Sequence, residues 1–82
     1  MESADSPAAE IDRLSEAIAR TPDDAALHFE RGRLYYKQGY LDKALNDFIR
    51  VRQLDPAHTE AAHYEAMLKE IFAFRHMDMY NP

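Results

Sequence analysis

Two prolines 34 residues apart, Pro22 and Pro56, constrain this chain more than any other feature. Each sits in a short polar break, "TPDD" at 21–24 and "LDPA" at 54–57, between segments patterned as amphipathic helices. Proline removes a backbone donor and pushes the preceding residue out of the helical region, so a helix ends at each break. Asp23 and Asp24 then suit the positive start of the next helix. Aligning the chain on the two prolines superposes Leu14 on Phe48, Ala17 on Val51, Ile18 on Arg52 and Leu27 on Ala61. A two-helix unit repeated at this interval cannot bury its apolar faces alone, so stacked copies must share one core.

The segments between the breaks read as four helices. Ser6-Pro7 supplies a capping hydroxyl and a first-turn proline. Ile11, Leu14, Ala17 and Ile18 then form one stripe on a helix over Ala8 to Arg20. The second helix is expected over Ala25 to Gln38, where Leu27, Phe29, Leu34, Tyr35 and Tyr36 give a broader apolar surface. Gly39 ends it, because glycine takes the left-handed conformation that closes a helix. The third, near Leu41 to Gln53, carries Leu41, Ala44, Leu45, Phe48 and Val51. The fourth is expected over His58 to Phe74, followed by "RHMDMYNP", which is apolar in part but too short for another element. At 82 residues this is one all-α domain, too small to enclose a large active site beside its core.

The central stretch resembles the tetratricopeptide repeat family. The family's small residue in the first helix of the pair matches Gly32, and its aromatic matches Tyr35. Gly39 stands in the turn, Ala44 is the alanine opening the second helix's contact surface, Phe48 is the following aromatic and Pro56 the closing proline. The words "YYKQG", "KAL" and "LDP" are close to the family's commonest wording. The resemblance implies a right-handed antiparallel helical stack, with a half repeat over 8–24, a full repeat over 25–58, a half repeat or capping helix over 59–75 and a tail over 76–82. Several positions depart from the pattern. His28 and Arg31 stand where a bulky residue and a leucine are usual, Val51 replaces an alanine, and Lys69 takes the place of an aromatic.

The family also implies what the chain does: it binds a protein or peptide through the concave face lined by the first helix of each pair. Carried onto this sequence, that face comprises Phe29, Arg33, Tyr36 and Lys37 on the second helix, with His63, Met67 and Glu70 on the fourth. Arginine pairs with carboxylates, and tyrosine offers rigid area with a polar tip. An equally weighted reading gives Phe29 and Tyr36 to the core. The family's clamp for acidic C-terminal peptides uses lysine and asparagine, but Phe29, Glu60 and Tyr64 stand at the corresponding positions, which disfavours that ligand. An alternative function is structural homodimerisation through the open end of the stack. Ile71, Phe72, Phe74, Met77, Met79 and Tyr80 load that end with apolar surface, which either meets another copy or is capped by the tail.

Other classes find little support in the residues. Gly32 and Gly39 are seven apart inside a helical pattern and lack a following serine or threonine, so no phosphate-cradling loop is expected. His58 and His63 fall off a common helical face, no cysteine is present, and no carboxylate is singled out by an apolar setting, so neither a cofactor, a metal nor an enzyme is expected. The net charge of −5 argues against nucleic acid, although six basic and two acidic residues between Arg31 and Arg52 make a locally basic stretch. The first ten residues contain neither a basic cluster nor an apolar run, and no segment is long enough to span a bilayer, so a cytoplasmic protein without membrane insertion is expected.

Overall fold

The computed structural model describes the backbone of residues 6–80 and the side chains of residues 6–74. Four helices follow one another: α1 (Pro7–Arg20), α2 (Ala25–Gln38), α3 (Leu41–Leu54) and α4 (Thr59–Tyr80). They form an all-α antiparallel stack in which α1 packs on α2, α2 on α3 and α3 on α4. The spacing seen in the prolines recurs in the backbone, because α1 and α3 start 34 residues apart, as do α2 and α4.

The boundaries have local causes. The Ser6 hydroxyl accepts from the Ala9 amide, with Pro7 opening α1. Asp24 caps α2 through the Ala26 amide. At the start of α4 a histidine does this work, its His58 Nδ1 accepting from the Ala61 amide at 3.1 Å. Gly39 closes α2 at φ +88°, a conformation that costs a side-chain-bearing residue about 1 kcal/mol. The fourth helix runs to Tyr80, six residues beyond the expected end at Phe74. No glycine or proline lies between Thr59 and Tyr80, so nothing in the chain breaks the hydrogen-bond ladder there.

Phe48 is the centre of the core. It is fully buried with Ala44 and Val51 of α3 and with Ala61 and Leu68 of α4, while Phe29 closes the cluster from α2. The Phe48 ring stacks on Tyr64 with centroids 4.5 Å apart and an interplanar angle of 6°, and meets Phe29 edge-on at 5.7 Å. One aromatic of α3 thereby joins two helices, and its burial contributes about 2–3 kcal/mol. Close approach of α2 and α3 depends on Gly32: a Cβ there would lie 2.9 Å from Phe48 Cε1 and 3.2 Å from Asp47 Cβ.

Beside this apolar centre lies a polar one. Arg31 donates from Nε and Nη2 to the two carboxylate oxygens of Asp47 at 2.9 and 2.8 Å, and from Nη1 to Ser15 Oγ at 3.0 Å. A single side chain of α2 thus ties α1 to α3. His28 is buried next to it, with Nε2 2.9 Å from the Pro22 carbonyl oxygen and Nδ1 3.9 Å from Asp47 Oδ1. His28 and Arg31 thus place polar side chains between the helices, with the Arg31–Asp47 ion pair at their centre. The Asp47 hydrogen bonds raise the Arg31 pKa above its ordinary value, outweighing the opposing effect of burial.

Candidate functional site

The surface shared by α2 and α4 holds a shallow cleft of about 210 Å³, lined by Glu60, His63, Tyr64 and Met67. These four residues recur at helical spacing along one side of α4, so the site follows directly from the period of the helix. Tyr36 reaches the same surface from α2. Its ring meets Tyr64 edge-on at 5.4 Å, and its hydroxyl lies 3.9 Å from Met67 Sδ. Tyr64 is held in turn by its stack on Phe48 and by Phe29 at 6.1 Å. The floor is therefore rigid aromatic surface, and the rim carries the imidazole of His63 and the carboxylate of Glu60. Small-molecule sites usually begin near ~300 Å³, so this hollow suits one or two side chains of a larger partner.

The residues expected to line the groove separate into three groups. Tyr36 and Met67 are half-buried and in mutual contact, with His63 exposed beside them. Lys37 and Glu70 are exposed, while half-buried Arg33 holds its guanidinium 5.9 Å from the Phe29 ring. Phe29 itself is only 8% exposed and packs against Phe48, Tyr64 and His58, so its side chain belongs to the core. At the other expected surface, Ile71 packs against the core cluster, Phe72 is half-buried and Phe74 is 69% exposed. The side chains of Met77, Met79 and Tyr80 lie outside the described residues.

Glu60 and Tyr64, expected only as the residues standing at the family's peptide-clamp positions, line the cleft with His63 and Met67, and the spacing of 60, 63, 64 and 67 carries the signal. A second hollow, of about 280 Å³, lies where α1 meets the turn between α2 and α3 and is lined in part by Ile11, Tyr35, Tyr40 and Lys43. There the Lys43 ammonium sits 5.8 and 5.5 Å from the Tyr35 and Tyr40 rings, within cation–π range. Among the described residues there is no group of three histidine, cysteine or acidic side chains able to hold a metal ion, and no helix long and apolar enough to cross a membrane.

Comparison with known proteins gives the same segment that carries the motif. A family model described as Tetratricopeptide repeat matches residues 25–58, which hold α2, α3 and the turn between them. The match covers less than half of the chain, and the four-helix stack around it is consistent with a fold of that type. No curated protein and no solved structure matches the chain significantly. A helical repeat of this kind is consistent with a scaffold for protein–protein interaction.

Proposed function

We propose that this chain is a non-catalytic interaction module that holds a segment of a protein partner on the α2–α4 surface. The observation that carries the reading is the aromatic-floored cleft of Tyr64 and Met67, buttressed by Tyr36 and rimmed by charge. An apolar side chain of the partner seats between Met67 and Tyr64, where sulfur and ring faces give adaptable contact. Arg33 and Lys37, on the α2 side, then receive a carboxylate of the same segment. Phe29 contributes by holding Tyr64 in place rather than by touching the partner. The surface is short, so affinity rests on a few anchor contacts.

The test compares proteins captured from the native cell by the wild type and by an Arg33→Ala, His63→Ala, Met67→Ala triple variant, with helicity measured alongside. These positions lie outside the buried core cluster, so the variant is expected to stay helical and to lose the bound partner. A helical variant that retains every partner overturns the proposal.

A further inference from the structure

The 34-residue spacing of the helix starts makes α1 the counterpart of α3 and α2 the counterpart of α4. Side-chain contacts respect the same equivalence. Arg31 of α2 reaches back to Ser15 of α1, and its counterpart Glu65 of α4 is reached by Arg52 of α3 at 2.9 Å. Arg31 has a second partner, Asp47, on the helix that follows it. Glu65 has no such helix among the described residues and takes Lys69 of its own helix instead, at 2.7 Å. Asp47 has its counterpart in Arg13 of α1, whose partner is Glu10 three residues away.

Transferring the α2–α3 contacts to an α4–α1 pairing brings opposite charges together. The pair Arg31–Asp47 becomes Glu65–Arg13, inverted in sign at both ends and still attractive. Tyr35, which lies against Lys43 and the core cluster that holds the buried Ala44, becomes Lys69, and Ala44 has its counterpart in Glu10, so Lys69 meets a carboxylate where Tyr35 meets an apolar side chain. Size is adjusted in the same coupled way. The tight contact of Gly32 with Phe48 becomes Ala66 against Leu14, a larger residue on one side matched by a smaller one on the other. Ala66 and Lys69 are exposed on α4 and Arg13 is exposed on α1, while Glu65 is buried, held by Arg52 and Lys69. Within one chain these two faces do not pack together, since α1 packs on α2 and α4 on α3.

We infer that α4 of one copy docks on α1 of a second copy, completing a helical pair from two chains with Glu65–Arg13 and Lys69–Glu10 as the matched charges. The contact is heterologous: each copy uses one face to give and another to receive, so association continues from copy to copy unless a ring closes. Each exchanged ion pair replaces a local one, so the interface gains through apolar contact of Leu14 and Ala66 while the charges set register and exclude wrong pairings.

Sedimentation of the full chain from micromolar to millimolar concentration tests this. The expected result is a weight-average mass that rises with concentration past twice the 9.5 kDa of one chain. Arg13→Glu blocks the α1 face and Ala66→Arg blocks the α4 face, each weakening self-association about tenfold or more. Mixed in equal amounts, the two variants pair through their intact faces and stop at two chains. A wild type that stays at one chain, or levels off at two, overturns the proposal. So does a mixture of helical variants that does not pair. Should Arg13→Glu lose helicity, Glu10→Lys takes its place and is mixed with Ala66→Arg. Should Ala66→Arg lose helicity, Lys69→Glu takes its place and is mixed with Arg13→Glu. In either mixture the two altered faces carry like charge, so association again stops at two chains.

Discussion

Replacing Gly32 with alanine sets two effects against each other at one atom. In an isolated helix the change is stabilising by about 1 kcal/mol, because glycine has the greater backbone freedom to lose. Here the new methyl would lie 2.9 Å from Phe48 Cε1, 3.1 Å from Cζ and 3.2 Å from Asp47 Cβ. Relief by rotation of Phe48 is closed off, since the ring is fully buried and stacked on Tyr64 at 4.5 Å. Relief on the other side moves Asp47, which is held by two hydrogen bonds from Arg31. Overpacking of a core costs about 1–3 kcal/mol, so after the propensity gain Gly32→Ala is expected to lose up to about 2 kcal/mol. For a domain of this size that lowers Tm by up to roughly 15 °C. Phe48→Leu alone leaves a cavity and costs about 1 kcal/mol, but in the double variant the shorter side chain makes room for the methyl. Urea denaturation of the four proteins of this cycle should therefore give a double variant more stable than the sum of the single losses. A Gly32→Ala protein that melts higher than the wild type refutes the packing argument, and strict additivity refutes the assignment of the clash to Phe48.

Further outcomes follow from the polar contacts and the turn. Asp47→Ala strips Arg31 of both carboxylate bonds in a half-buried setting and is expected to cost about 3 kcal/mol by urea denaturation, while Arg31→Leu with Asp47→Ala together recovers most of that loss. Gly39→Ala meets no atom within 4 Å yet must adopt φ +88°, so it loses about 1 kcal/mol through backbone strain alone. Hydrogen bonds first from Lys69 and then from Arg52 hold the Glu65 carboxyl below its ordinary pKa of 4.5. A lowered folded-state pKa contributes stability that is complete above the unfolded value and is lost as pH falls through the folded one. The stability gap between wild type and Glu65→Gln should thus be full at neutral pH and close on acidification below 4.5; a gap unchanged by acid refutes the ionic role.

The fold was legible in the sequence because its signals are local. Pro22, Pro56 and Gly39 mark breaks through backbone chemistry that no tertiary contact overrides, and the stripes between them fix which faces meet. α4 passes its expected end at Phe74 because the segment beyond, too short for a further element, contains no glycine or proline up to Tyr80 to end the helix. Charge pairing was harder to see. Arg31 and Asp47 look like surface residues in a basic stretch, yet they lie equally far from the Gly39 turn and therefore meet across an antiparallel hairpin. That symmetry about the turn is the signal that could have found them. Phe29 shows the limit of helical phase as a guide. Its neighbours from α3 and α4 enclose it, and residue spacing within α2 does not report how close a third helix comes.

Every helix packs on the one before or after it in the chain, joined by turns of two to four residues. Contacts are consequently formed between segments that are near in sequence, and little loop entropy is lost before each is made. Folding kinetics inherit this geometry: the α2–α3 hairpin can form first around Phe48 and Gly32, with α1 and α4 added to its two sides in either order. A chain built this way reaches its native state on a timescale of microseconds to milliseconds. The α2–α3 hairpin, covered by α1 on one side and α4 on the other, is expected to hold the best-protected backbone amides in native-state hydrogen exchange.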